Sequence, residues 1–373
     1  MSVRPPRRPR YGRVDQAIFA GYLACHGLRP AHISRPKPSE LDLFAVSLFS
    51  TRVYWANCFA SSDEDGRAFR VMPAYVMDPS PNAFADVQGD VHLCGLNIGL
   101  AAALFELASF TLAQAVVLPE IGDAAAEASP VAGPTPPGFS FPRNLLLTGR
   151  TPRFNELPTY FPADPARQAA AVYLTLLMLR FVWFHELYHG LNGHVRFLQN
   201  AAGLRLDEAA EPPTEGAAVL QRTMELDADQ SAFFVCAGIQ NRGTENIRGI
   251  QALDRALRLR LTLLGAYLTT WMFDEQARRR DRQVHLTHPA PYPRLHNLLR
   301  CAAAYLADDV PDLAQINRAT LGDLVGLSPF GGSAFTPDQI LADMQSEGFQ
   351  AELDAYDALN EKIQPTYHRF SYR

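Results

Sequence analysis

The sequence predicts an α+β fold that is mostly helical, with a small antiparallel sheet. Three observations carry this expectation. Between Leu41 and Met77 the chain is rich in Val, Phe, Tyr and Trp, and the runs LDLFAVSLF and RVYWANCFA are followed by the turn segment SSDEDG. That is the pattern of short strands joined by a loop. Beyond Pro165 the strand signals stop and long apolar stretches with helical spacing take over. Between the two lies a proline-rich run of the kind that separates folded elements.

Taken in order, residues 1–38 read as a basic, proline-rich tail and linker, opening MSVRPPRRPRYGR. It has no apolar core of the length a secretory signal needs. Residues 39–118 read as a strand-rich segment closed by a first core helix. Ala68–Met77 and Asp90–Cys94 are strand candidates, and DPSPN at 78–82 is a breaker. The helix should run from about Asn97 to Leu118. Residues 119–165 read as an insertion, part mobile and part laid over the surface, with ten prolines between Leu118 and Pro165 counting both ends. Residues 166–310 should then form a helical part, and 311–373 a C-terminal helical segment. One helix is expected over Ala166–Leu198, interrupted at Gly190 or Gly193. Others are expected from Pro213 to Cys236, Thr244 to Phe273, Pro293 to Ala307 and Thr336 to Glu361.

Composition narrows the function classes. Hydrophobic residues make up 47% and charged residues 20% of 373, which excludes wholesale disorder and collagen-like repetition. The net charge of −5 speaks against a domain built to grip nucleic acid. Five scattered cysteines, Cys25, Cys58, Cys94, Cys236 and Cys301, form no CxxC pair. They suit a reducing, cytoplasmic compartment better than a disulfide framework. Leu96–Val117 and Ala169–Phe184 are apolar, but polar residues interrupt both, so they read as buried core helices and no membrane span is expected.

The chemistry is expected at His185-Glu186-Leu187-Tyr188-His189. On a helix, positions i and i+4 share a face. Two imidazoles so placed can bind one zinc ion, and Glu186 stands where it can take a proton from zinc-activated water. The apolar run LTLLMLRFVWF before the motif embeds it in a rigid core. His194, five residues past His189, falls off the zinc face of a continuous helix and off the metzincin spacing. The third ligand is therefore expected in Met224-Glu225-Leu226-Asp227-Ala228-Asp229, where Glu225 and Asp229 are again i and i+4. Glu225 would complete a site of two histidines and one carboxylate, leaving a position for water. Asp229 would accept a hydrogen bond from the outer nitrogen of a ligand histidine. The bland alternative is a pair of ordinary helix histidines and a row of solvated acids.

HELYHGLNGH followed by MELDAD resembles the gluzincin metallopeptidases of the HtpX and CAAX-prenyl-protease type, with their HExxH…ExxAD pattern. Pro81-Asn82-Ala83-Phe84-Ala85 with Asp90–Leu96 is similar to that family's upstream hairpin, and Thr287-His288-Pro289…Arg294-Leu295 to its downstream segment. The resemblance spans Asn82–Leu295, 214 of 373 residues. Because the membrane helices of well-known members are missing, it points to a soluble branch or to phage-exclusion Lit-like peptidases. It implies a gluzincin-like domain with one Zn2+ per chain, acting on a protein or peptide substrate. It implies that Asn82, Ala83 and Phe84 lie on an edge strand that takes an extended peptide by strand addition. It also implies that His288, as a catalytic residue, and Arg294 approach the zinc and stabilise the oxyanion, with Tyr188 and Tyr292 as further donors, of which Tyr188 points off the zinc face.

The function expected is a zinc endopeptidase with Glu186 as general base. The alternative is a non-catalytic, zinc-stabilised binding or regulatory protein. A closed site with His194 or His288 as fourth ligand would mark that alternative.

Overall fold

The computed structural model describes residues 12–33, 46–48, 51, 61–131, 135, 137–140, 160–202, 206–207, 215–243, 253–279, 291–327 and 337–372. Within them the architecture is mostly helical with one small sheet. The elements in chain order are α1 (Arg13–Cys25), β1 (Val71–Val76), β2 (Ala83–Gln88), β3 (Val91–Asn97), α2 (Ile98–Leu112), α3 (Pro165–Leu191), α4 (His194–Ala202), β4 (Leu206–Asp207) and α5 (Glu215–Arg242). They continue with α6 (Arg255–Arg279), α7 (Pro291–Leu306), α8 (Leu313–Gly326), α9 (Pro337–Met344) and α10 (Glu347–Tyr367).

The sheet order is β1-β3-β2-β4. β2 and β3 form the expected hairpin, pairing antiparallel from Ala83 opposite Leu96 to Gln88 opposite Val91. β1, however, pairs with β3 in parallel, so the sheet is mixed and not antiparallel throughout. The burial pattern gives the reason. β1 and β3 are buried at every position, as strands covered on both faces are. Alternate residues of β1 face opposite sides: Val71 and Tyr75 join the main core, whereas Met72, Ala74 and Val76 join Phe19 and Leu23 of α1. α1 therefore corrects the expectation of a tail over residues 1–38. Its apolar positions Ile18, Phe19, Tyr22 and Leu23 have helical spacing and close one face of the sheet. Residues 46–48 and 51 are helical, which corrects the strand expected in LDLFAVSLF; RVYWANCFA, at 52–60, lies outside the described residues.

The other face of the sheet rests on α3, the central helix, which also packs against α2, α5 and α6. Its start is legible in the sequence: Pro165 opens the first turn and the Asp164 side chain accepts from the Arg167 backbone N–H. α3 is long and apolar enough to cross a membrane, but 94% of its most apolar window is buried inside the fold. The helix stops at Asn192–Gly193, where Gly193 has φ +87°. That is the expected interruption, and α4 then leaves in a new direction. The expected last helix is two, α9 and α10, and α8 precedes them.

The described start of the proline-rich run lies over the surface and is anchored from inside. Residues 113–131 form turns around the fully buried guanidinium of Arg167. Its Nε donates to Leu112 O at 2.8 Å. Nη1 donates to Leu118 O and Ile121 O at 3.0 Å each. Nη2 donates to Gln114 O at 2.9 Å and Val117 O at 2.8 Å. All five N–H groups of the arginine are thus used on backbone carbonyls. The run keeps its expected place at the surface, with Pro119, Glu120, Gly122 and Val131 exposed, while this buried cation ties its inner carbonyls to the core.

Candidate metal centre

The centre is built where α3 runs past α5. His185 and His189 lie one turn apart near the end of α3, with ring centroids 4.6 Å apart. Because α3 is apolar on all sides, its side chains at this point project into protein and not into water. Both histidines and Glu186 are at most 3% exposed. α5 presents Glu225 and Asp229 on one face, as the i, i+4 spacing requires. Glu225 Oε2 stands 3.1 Å from His185 Nε2 and Oε1 stands 3.3 Å from His189 Nε2. The two Nε2 atoms are 2.9 Å apart. Among the described residues these three form the group able to hold a metal ion, with ligating atoms all within 4.8 Å of one another.

The outer nitrogens of both rings are occupied. Asp229 Oδ1 lies 3.0 Å from His185 Nδ1. Burial works against the charge of Asp229, but Arg294 and the hydrogen bond from His185 outweigh it and hold its carboxyl below the usual range. An ionised carboxylate only accepts, so His185 Nδ1 carries the proton and its Nε2 presents a lone pair to Glu225 and His189. On the other ring, His189 Nδ1 is 3.1 Å from His194 Nδ1. His194 Nε2 is in turn 3.1 Å from Asp227 Oδ2. Asn192 Nδ2 donates to the same oxygen at 2.6 Å. Burial again opposes the charge of Asp227, and His194 and Asn192 overcome it to keep the carboxyl low.

The arrangement fits a divalent cation. Burial first, then the neighbouring His185 and His194, bring the pKa of His189 down to about 4 against the pull of Glu225. Two imidazole lone pairs facing each other at 2.9 Å beside a carboxylate call for a positive charge between them. Since His189 resists a proton, a borderline metal ion that takes nitrogen and oxygen ligands is the species whose chemistry matches.

Glu186 follows His185 and is buried toward the sheet. Its charge, after burial itself, pushes the thiol of Cys94 on β3 well above its ordinary range. Tyr188 is half-buried against the core.

Arg294, on α7, is 2% exposed. Its Nε and Nη2 bond Asp229 at 2.6 and 2.7 Å, and the same Nη2 is 4.0 Å from Glu225. The bidentate match of guanidinium to carboxylate fixes Arg294 beside the centre. Of Asn82, Ala83 and Phe84, it is Phe84 whose edge another strand covers among the described residues. β4 covers the outer side of β2, with Phe84 opposite Asp207 and Ala85 opposite Leu206. The Phe84 ring faces away from α3, stacking on Phe19 and Tyr22 of α1 at 6.4 and 5.8 Å. Ala83 is fully buried in the core, and Asn82 O accepts from Asn97 N at 3.0 Å. His288 lies outside the described residues, as does the side chain of Tyr292.

His194, Asp227 and Asn192 are site residues that helical spacing alone does not reveal. The helical angle for His194 holds only on a continuous helix, and Gly193 breaks it. That glycine is the signal that His194 can swing back toward His189.

Comparison of this chain with protein-family models, with curated proteins and with solved structures returned no match.

Proposed function

We propose that the chain is a zinc-dependent endopeptidase that acts on a protein or peptide in the cytoplasm. The observation that carries the reading is the convergence of His185 Nε2, His189 Nε2 and the Glu225 carboxylate, with a buried glutamate directly following the first histidine. Zinc held there would acidify a water molecule and polarise a carbonyl oxygen. Asp229 and His194 hold the two rings with their ligating nitrogens inward. Glu186 takes a proton from the attacking water and returns it to the leaving amine.

The test is a pairwise incubation of the zinc-loaded protein and its Glu186→Gln form with a whole-cell lysate, followed by mapping of new peptide termini. The reading expects termini made by the wild type alone, with both proteins holding one zinc. Equal cleavage by both would remove Glu186 from its role. Zinc uptake with no cleavage of any protein, together with no binding of a hydroxamate, would favour the non-catalytic alternative.

A further inference from the structure

We propose that His194 is a positioning residue for the metal centre, and that the end of α10 with the residues following it holds it there. The inference rests on the zinc reading above and deepens it.

The hydrogen-bond direction can be followed atom by atom. A histidine that ligates through Nε2 carries its N–H on Nδ1, so His189 Nδ1 would donate to His194 Nδ1, 3.1 Å away. His194 then accepts at Nδ1 and presents Nε2 to the Asp227 oxygen that Asn192 also bonds, 3.1 Å away. This leaves the lone pair of His189 on Nε2, the atom directed at His185 and Glu225. Asp227 thus sets the tautomer of His189 through an intervening imidazole, as Asp229 sets that of His185 directly.

The intervening ring is fully buried and is positioned from its far side. The Tyr367 ring stands edge-on to it, with centroids 4.8 Å apart and planes at 83°. Tyr367 is itself fully buried, and its hydroxyl donates to Asn360 Oδ1. Just beyond it, Tyr372 N donates to Leu191 O at 2.8 Å, and Arg196 Nε donates to the Tyr372 hydroxyl at 2.9 Å. The chain from Tyr367 to Tyr372 therefore clamps the α3–α4 corner that carries His194. The close fit explains Gly193: a Cβ there would lie 2.4 Å from Tyr367 O and 2.7 Å from the Phe370 carbonyl carbon.

The test measures zinc affinity by competition with a fluorescent chelator, alongside circular dichroism of the metal-free protein. His194→Phe keeps a ring against Tyr367 and removes the acceptor. His194→Asn offers Oδ1 where Nδ1 stood. Loss of such a partner costs about 10–100-fold in metal affinity in other proteins, and a weakening of that order is expected for His194→Phe. His194→Asn should recover most of it, which a purely space-filling role would not produce. Asp227→Asn, which keeps the volume, probes the same relay if the phenylalanine variant does not fold, and should weaken zinc similarly. Tyr367→Leu should weaken it less than His194→Phe. Wild-type affinity in a folded His194→Phe or Asp227→Asn protein overturns the inference and leaves the peptidase reading standing. A wild-type chain that takes up no zinc overturns both.

Discussion

Arg294 and Asp229 form a closed, two-pronged ion pair in the interior, joined at 2.6 and 2.7 Å, and the same carboxylate holds His185. A single acid thus connects α7 to the helix that carries the histidine pair. Removing the arginine leaves a buried carboxylate short of its main partner, which in other proteins costs about 3–5 kcal/mol. Arg294→Met is therefore expected to lower the urea midpoint of the metal-free protein and weaken zinc binding together. If Arg294 instead served the substrate, kcat would fall with stability intact, and a chemical denaturation curve alongside a rate assay separates the two.

His92 makes a pH prediction. Burial, and after it the charge of Arg196, bring its pKa from 6.5 to about 3. The unfolded chain therefore takes up a proton near pH 6.5 that the folded chain refuses until about pH 3. Its contribution to stability is complete above the first value and is lost as the pH falls toward the second. Denaturation series at several pH values should show His92→Gln with a flatter acid limb than the wild type. Identical limbs would show that the ring does not resist protonation in the folded state.

Arg167 predicts the behaviour of residues 113–131. Lysine offers three N–H donors in place of five and lacks the planar fork. Arg167→Lys leaves at least two of the five carbonyls without their present donor. Each buried unmet group costs about 1–3 kcal/mol. A drop of about 2 kcal/mol or more is expected in thermal or chemical unfolding, with early proteolytic cleavage within 113–131. An unchanged melting temperature would mean that the loop holds without the guanidinium.

Gly193→Ala probes the corner between α3 and α4. The residue is left-handed, and a side chain there would run into the backbone of Tyr367 and Phe370. Strain at such a position costs about 1–3 kcal/mol. Hydrogen exchange at Tyr372, whose amide is bonded to Leu191 O, should accelerate more in this variant than exchange in β3. Uniform acceleration would indicate general destabilisation instead of release of that segment.

Much of the candidate centre is legible in the sequence because it depends on helical periodicity. His185 with His189, and Glu225 with Asp229, are each i, i+4 pairs, and two buried helices side by side need only face each other to converge. What spacing does not show is pairing between distant segments. The parallel match of β1 with β3 is set by which strands are covered on both faces, a tertiary property. α1 hides behind a basic, proline-rich opening whose composition is that of a tail. The hold of Asp229 on Arg294, 65 positions away, is likewise invisible in a linear reading. The angle that sets His194 aside is one that Gly193 cancels.

The two residue pairs that join β4 to β2 set a condition on any extended peptide that seeks this sheet. At Phe84 and Ala85 the hydrogen-bonding positions are already taken by the chain's own Leu206 and Asp207. A newcomer would enter by exchange, as one strand replaces another in a donor-strand reaction. Its arrival would then be timed by the opening of a two-residue ladder and not by diffusion to a waiting edge.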